Sequence, residues 1–437
     1  MSTAYVARKT ARLYDGPTGR GYLMVLIFGD EVERTGDVVS GRERVLFRDR
    51  EGFAAQSDLT DAPSLEMYFI DVGQGDAAFI VTPGRKKILI DGGMDRRALG
   101  FLTWKYRLDK ADAASIDIDY LIMSHGDADH LKGLTPVIKH PLINVKRVLH
   151  NGLAMFDDDR LPERLGNRSD DGKFIITRYS ALADLPAFTL AGAFSAWKHA
   201  LESEPEPPVC EAVDSRTGSI DLNEPDLTLE ILGPRLEQAQ GNDAYRWFGD
   251  HAHTINGHSV VLKLSYKNVS ALFSGDLNIE GSAHLLADPS TAAKFDAHVF
   301  KTPHHGSHEY SDDLLRAVQP QVSVVSSGDQ PDHGHPRASF LGALGKSHRS
   351  SNPLLFSTEI AATFHEDSSD QGEATSLDNL SVTSLEDRRE TRIRFKRRLH
   401  GMINVRTDGK KLYCARRVAA GYWWESYEQK AAERDPF

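Results

Sequence analysis

The chain has 437 residues, of which 40% are apolar and 26% charged, a profile that allows a sizeable core and excludes collagen-like, coiled-coil and wholly disordered classes. Its 52 basic and 63 acidic residues leave a formal charge of −11, which argues against wrapping nucleic acid over a broad basic surface. Cys210 and Cys414 are too few for a disulfide framework or a thiolate metal cluster, so any metal here must use imidazole and carboxylate. Apolar runs such as Met67–Ile70 and Ala77–Val81 fall far short of the roughly 18 residues of a membrane span, and no charged-then-apolar leader opens the chain. The expectation is a soluble, cytoplasmic protein with no membrane partner.

Residues 1–61 read as short strands punctuated by turns: Ala11–Tyr14 before Asp15-Gly16-Pro17, Tyr22–Phe28 before Gly29-Asp30, and Arg44–Arg48 before Glu51-Gly52-Phe53. Strands alternating with Gly and Asp turns predict a small all-β barrel. The order RLYDGP…GDEV…RVLFRDREGFAAQSDL resembles bacterial SH3-like domains. That resemblance implies either a module binding peptide or cell-wall fragments, with a protein partner, or a β domain that only packs on its neighbour.

From Leu65 apolar strands alternate with helical stretches, and a second domain is expected over residues 62–437. MYFIDVGQGDAAFIV and KKILIDGG read as two adjacent strands, Ala98–Arg107 as a helix, and Tyr120–Met123 as a buried strand ending in a polar loop. This succession predicts an α/β layer fold. Periodicity is poor from Asn151 to Gly241, so an insertion over about residues 151–226 is expected to rim the site. Strands resume at Leu227–Leu232, Ser259–Ser265, Ala271–Ser274, Ala297–Thr302, Val322–Ser326 and Leu354–Phe356. Residues 366–387 are acidic and Ser-rich, the composition of a mobile loop, and the basic run Arg388–Arg398 reads as a solvated strand or a local anion patch. A Thr-Asp-Gly turn then joins the strands of GMINVRTDGKKLYCARR, and Trp423 and Trp424 read as packing residues.

His125-Gly126-Asp127-Ala128-Asp129-His130 directly follows the apolar strand Tyr120–Met123. Burying unpaired carboxylates costs several kcal/mol each, a conflict that a cation removes. Imidazole with carboxylate suits zinc, manganese or iron, and the lack of thiolate favours an open catalytic site over a closed structural one. Asp276 in LFSGDL and His304 and His305 in VFKTPHHGS also stand at strand ends, where α/β sheets hold functional groups rigidly. Three such ends converging would hold a pair of ions about 3.5–4 Å apart, with a carboxylate such as Asp276 between them. His333 and His335 in HGHPRAS are available to complete the pocket. Neighbours in an extended segment face opposite ways, so one of His304 and His305 is expected to bind metal and the other to face elsewhere.

The ordered set FIDVGQGDAAFI, ILIDGG, MSHGDADHLKG, TINGHSVVLKLSY, LFSGDL, KTPHHGS, VVSSG and HGHP, over about residues 65–365, resembles the metallo-β-lactamase-fold hydrolases, and among them the ComEC-like competence branch. The resemblance implies a four-layer αββα sandwich, here preceded by the small SH3-like barrel, with a two-metal site at one edge. Carried over residue by residue, it makes His125 and Asp127 ligands of one ion, Asp129 and His130 ligands of the other, Asp276 the bridge and His305 a further ligand. Asp129, His304 and His335 are the residues it implicates in catalysis; of the two histidines, one is implied to coordinate and the other to hold the scissile phosphate or protonate the leaving group. Asp91 is implied to orient a ligand imidazole. Asp71 and Asp76, flanking a Gly-rich turn, read equally as backbone caps and as site contacts.

The commoner signature has His where Asp127 stands and another His near Asn256, so this site is richer in oxygen, which leaves both zinc and manganese open. Asn256 is placed outside the ligand set, supporting it, and among His251, His253 and His258 the favoured replacement ligand is His253. Lys132 stands where Gly is more usual and meets either solvent or a phosphate. His150 reads as a satisfied histidine rather than a rim residue.

The implied activity is metal-dependent hydrolysis by a metal-bound hydroxide at a site of two divalent ions, foremost on a phosphodiester and with nuclease action included. The substrate would be a nucleotide or single-stranded nucleic acid in a local groove. Hydrolysis of a lactone, thioester or amide, and a non-enzymatic effector role, are the competing readings.

Overall fold

In the strand Leu65–Phe69 every residue is buried, with Met67 and Phe69 facing one apolar core and Tyr68 facing another. The same division recurs in Tyr120–Met123, where Tyr120 and Ile122 share the first core and Leu121 and Met123 the second. Strands apolar on both faces must be covered on both, and that requirement produces layers. The computed structural model describes residues 2–161, 163–328, 334–359, 363–364, 380–384, 391–395, 401–417 and 424–431.

One nine-stranded sheet runs in spatial order Val209–Ala212, Arg147–His150, Tyr120–Met123, Lys87–Ile90, Ala78–Val81, Leu65–Phe69, Ile403–Thr407, Lys411–Arg417, Trp424–Lys430. A seven-stranded sheet runs Ser219–Ile220, Leu227–Gly233, Val261–Tyr266, Val269–Phe273, Val299–Lys301, Val322–Val325, Leu354–Ser357. Met67, Phe69, Ile80 and Ile122 of the first meet Leu229, Leu262, Phe273 and Val324 of the second in a shared core. Helices Arg97–Tyr106 and Gly192–Glu202 cover the outer face of the first sheet, and Ile279–Leu286, Asp312–Val318 and Ala338–Ser347 that of the second. The result is the expected four-layer αββα sandwich.

Residues 2–60 form a separate antiparallel seven-stranded sheet around Ala4, Val6, Leu13, Leu26, Val32, Val45 and Ala54. It docks through Phe28, stacked on Tyr413 with ring centroids 3.7 Å apart, and through Arg406, whose Nη1 donates to Phe28 O at 2.5 Å and to Asp30 Oδ1 at 2.9 Å. A cleft of about 400 Å³ at this junction is lined by Asp30, Arg48, Glu66, Trp104, Lys105 and Arg406 and by none of the expected ligands.

Three local expectations change. MYFIDVGQGDAAFIV is two strands, Leu65–Phe69 and Ala78–Val81, paired antiparallel around a loop, because Asp71 to Asp76 turn away to the site. The insertion does more than form a rim: Phe194, Trp197 and Leu201 of helix Gly192–Glu202 are fully buried in the core, and Val209–Ala212 extends the first sheet. His304 and His305 lie in a 3₁₀ turn with φ of 49° and 52°, not in an extended segment. Within 366–387 only Leu380–Ser384 is described, as a strand paired with Thr391–Phe395 of the basic run; the rest of both stretches lies outside the described residues. Among the described residues no helix is long and apolar enough to cross a membrane.

Candidate metal centre

The site lies where strands of both sheets end. Tyr120–Met123 delivers Ser124 and His125, Lys87–Ile90 delivers Asp91, Val269–Phe273 leads to Asp276, and Val299–Lys301 leads to His304 and His305. The chain after Met123 turns into a one-turn helix, Ala128–Leu131, that carries Asp129 and His130. Two glycines let the neighbouring loops close on it. A Cβ on Gly75, where φ is +112°, would lie 2.0 Å from Asp129 O, and one on Gly133 would lie 1.9 Å from Gly92 O.

Asp76, His130, Asp276 and His305 are all buried, and each offers a ligand atom within 4.8 Å of the others. His130 Nε2 faces Asp276 Oδ1 at 3.3 Å; His305 Nε2 faces Asp276 Oδ2 at 3.2 Å and Asp129 Oδ2 at 3.4 Å. The His125 ring centroid is 4.1 Å from that of His130, and its Nε2 lies 3.6 Å from Asp127 Oδ2. Nε2 of His125, His130 and His305 is buried without a hydrogen bond, as are Oδ1 of Asp276 and Oδ1 of Asn256. Buried polar atoms without a partner are costly unless something meets them, and a divalent cation among imidazole and carboxylate would meet the three ring nitrogens and Asp276 Oδ1.

The other ring nitrogens are taken. Asp91 Oδ2 is 2.9 Å from His130 Nδ1, while Asp91 Oδ1 accepts the Ser124 N–H at 2.7 Å. Ser124 Oγ is 2.9 Å from His125 Nδ1. His305 Nδ1 donates to Ser326 O at 3.1 Å, with Asp76 Oδ1 3.5 Å away. With Nδ1 occupied in each ring, Nε2 is left to the site, the arrangement that fixes a ligand tautomer.

Electrostatics agree. Burial would press His130 and His305 toward the neutral form, yet Asp276 chiefly, with Asp91 at His130 and Asp129 at His305, holds both imidazoles above their ordinary range. Burial would likewise raise Asp76, but Lys301, then His305, keeps it below the usual carboxylate range. Asp129 and Asp276 are lowered against burial by His305 and His130. An enclosed region that holds carboxylates ionised attracts positive charge.

The structure thus brings together His125, Asp127, Asp129, His130, Asp276 and His305, with Asp91 behind His130. His304 is half-buried beside them, outside the close cluster, and burial lowers its pKa. His335 is buried too, its ring 6.0 Å from that of His304 and 6.4 Å from that of His305. His333 lies outside the described residues.

His253 is corrected as a replacement ligand: half-exposed, it faces Glu280 at 3.5 Å and Glu309 at 3.6 Å, because its helix turns it outward. His258 donates to Arg246 O at 2.8 Å and stacks on Phe248, and burial lowers its pKa to about 3. His150 is likewise a core residue, stacked on Tyr179 and bonded to Ser180 O. Lys132 is exposed. Asp71 caps Gly73 N at 3.3 Å, whereas Asp76 belongs to the cluster. Sequence reasoning missed two participants. Gln74 Nε2 reaches Asp129 Oδ2 at 3.5 Å, and Lys301, buried beneath the site, pairs with Asp76. The signal for Lys301 was a lysine closing an otherwise apolar strand just before the paired histidines.

The model of the metallo-beta-lactamase superfamily matches residues 70–329, a span that contains His125, Asp127, Asp129, His130, Asp276 and His305. The chain belongs to that superfamily. Within it the chain is 23% identical over 292 residues to ComE operon protein 3 of Bacillus subtilis (strain 168), an alignment covering 64% of this chain and 30% of that protein. The chain thus spans about a third of the curated relative it matches. Among solved structures, this metallo-β-lactamase superfamily member is similar to CmlA, a diiron beta-hydroxylase from Streptomyces venezuelae, at 13% identity and a TM-score of 0.34, over 68% of this chain and 54% of that one. It is also similar to Rm3 metallo-beta-lactamase, at 15% identity and a TM-score of 0.29, over 55% and 75% of the two chains.

Proposed function

We propose that this protein is a phosphodiesterase dependent on two divalent ions, zinc or manganese, and that its substrate is a nucleotide or single-stranded nucleic acid. The observation that carries the metal-dependent reading is the set of buried, unbonded Nε2 atoms of His125, His130 and His305 facing Asp127, Asp129 and Asp276. The phosphodiester class is supported by the resemblance of the ordered motifs to the competence branch. In this reading His125 and Asp127 would hold one ion, Asp129, His130 and His305 would hold the other, and Asp276 would serve both. When bound, the ions would neutralise charge developing on phosphoryl oxygens and make a water molecule acidic near neutral pH.

The chain's own groups do the rest. Asp91 and Ser326 O keep the Nδ1 protons of His130 and His305 in place, so that neither ring reorients. His304 and His335 are assigned to the phosphate and its leaving oxygen, since the half-buried ring of His304 and the buried ring of His335 lie 6.2 and 6.4 Å from that of His305, at the edge of the cluster. Residues 1–61 are assigned to recruiting a protein partner, in the manner of the SH3-like domains that their turns resemble.

Chromogenic phosphodiesters, DNA, RNA and lactones, each assayed with zinc or manganese, test this. Turnover of a phosphodiester that disappears in Asp129→Ala is expected. Turnover of lactones alone would move the protein to the other hydrolase class, and metal binding with no turnover on any probe would leave an effector.

A further inference from the structure

Lys301 is the last residue of a three-residue strand whose other members, Val299 and Phe300, are fully buried. Its register sets it between Phe273 and Val324 in the second sheet, and its ammonium points across to the first sheet, where Nζ meets Asp76 Oδ2. Both side chains are buried, at 4% and 6% exposure. The pair lies on the floor of the centre, so an ammonium sits beneath a region crowded with Asp91, Asp129 and Asp276. A lysine there weakens cation binding electrostatically, so its place beneath the centre needs a reason other than attraction of the ion.

The geometry points to one: we propose that Lys301 is a positioning residue that withholds Asp76 from the metal ligands. Asp76 is near enough to become one, since its carboxylate lies within 4.8 Å of the ligand atoms of His130, Asp276 and His305. Lys301 claims Oδ2, leaving Oδ1 3.5 Å from His305 Nδ1, on the side of the ring away from Asp276. Held there, Asp76 favours the Nδ1–H tautomer of His305 and leaves a position free for substrate, as catalytic centres require. The inference rests on the metal-dependent reading above.

Four variants, Lys301→Met, Lys301→Arg, Asp76→Asn and the double Asp76→Asn/Lys301→Met, test it, each measured for metal stoichiometry, affinity by chelator competition, the cobalt(II) absorption spectrum and phosphodiester turnover. Lys301→Met frees Asp76 to coordinate: metal affinity is unchanged or about 10-fold tighter, the cobalt bands weaken as coordination number rises, and kcat falls at least about 10-fold. Lys301→Arg keeps the wild-type spectrum. Asp76→Asn keeps both ions, and the double variant recovers the wild-type spectrum and part of the kcat lost in Lys301→Met.

Loss of an ion in Asp76→Asn, with Lys301→Met unaffected, would make Asp76 a ligand and overturn the proposal. So would a lower melting temperature in all variants with affinity and spectrum unchanged, which marks a purely structural pair. Should Lys301→Met fail to fold, the double variant decides: both ions retained supports the proposal and one lost refutes it. Wild type that binds no metal at all refutes the underlying reading instead, before any variant is compared.

Discussion

Asp91 Oδ2 and His130 Nδ1 are 2.9 Å apart in a fully enclosed contact, and the other oxygen of the same carboxylate accepts the Ser124 N–H. One side chain therefore fixes both the ring that faces Asp276 and the backbone that leads into His125. Its removal should loosen both His130 and His125. Asp91→Ala is expected to lower metal affinity by about 10–100-fold, read by competition with a chelator, while secondary structure is kept. An unchanged affinity would show that Ser124 Oγ, 3.3 Å from the same nitrogen, is sufficient.

His304 and His305 are expected to separate cleanly. Their rings lie 6.2 Å apart at 72°, and only His305 faces both Asp129 and Asp276. His305→Ala should lose bound metal. His304→Ala should keep it and lose turnover by roughly 10²–10⁴-fold, the range for a displaced general acid. Equal metal loss in both would make His304 a ligand.

These contrasts show what the sequence carried. Each candidate cluster is local, placed by an apolar strand that runs into polar residues, so the meeting of His125 to His130, Asp276 and His305 could be anticipated from pattern and resemblance. The turn at His304 was not legible, since left-handed φ at two non-glycine residues contradicts local preference and is imposed by packing. Nor was the partnership of Asp76 with Lys301, which joins positions 225 residues apart. Helix Gly192–Glu202 was legible in principle, with Phe194, Trp197 and Leu201 at helical spacing, but the loop-like flanks hid it. His253 looked eligible because neither burial nor direction can be read from a helix of seven residues alone.

Acid should weaken the junction between the N-terminal sheet and the sandwich. Glu66 is enclosed with Lys105 Nζ 3.0 Å and Arg406 Nη2 3.7 Å away. Burial would raise its pKa, but Lys105 and then Arg406 bring it down to about 2 from 4.5. The folded value lies below the unfolded one, so this contribution, on the order of 3 kcal/mol, is complete above about pH 4.5 and is lost as pH falls toward 2. Urea unfolding of wild type and Glu66→Gln between pH 3 and 7 checks it. The gap between the two should be widest at neutral pH, where the variant leaves buried Lys105 without its carboxylate, and should narrow on acidification. A gap independent of pH would mean that Glu66 is not ionised in the fold.

Removal of residues 1–61 should cost stability and spare chemistry. No expected ligand lies among them, and their sheet has a core of its own around Leu13, Leu26 and Val45. The junction is nevertheless specific. Arg406 donates to Phe28 O and Asp30 from one side and to Tyr68 OH at 2.9 Å from the other, Phe28 covers Tyr413, and Arg48 lies 4.3 Å over the Trp104 ring. Truncation leaves Arg406 with Glu66 and Tyr68 but takes away its acceptors on Phe28 and Asp30, and uncovers two aromatic rings. A chain starting at Ala62 is therefore expected to bind metal in wild-type stoichiometry and to turn over small phosphodiesters, while melting at a lower temperature than the full chain. Arg406→Ala in the full chain should reproduce much of that shift, because it severs the junction from the other side. If the truncated chain keeps its metal but loses turnover on every small substrate, the first domain contributes to catalysis and its assignment to recruitment is wrong.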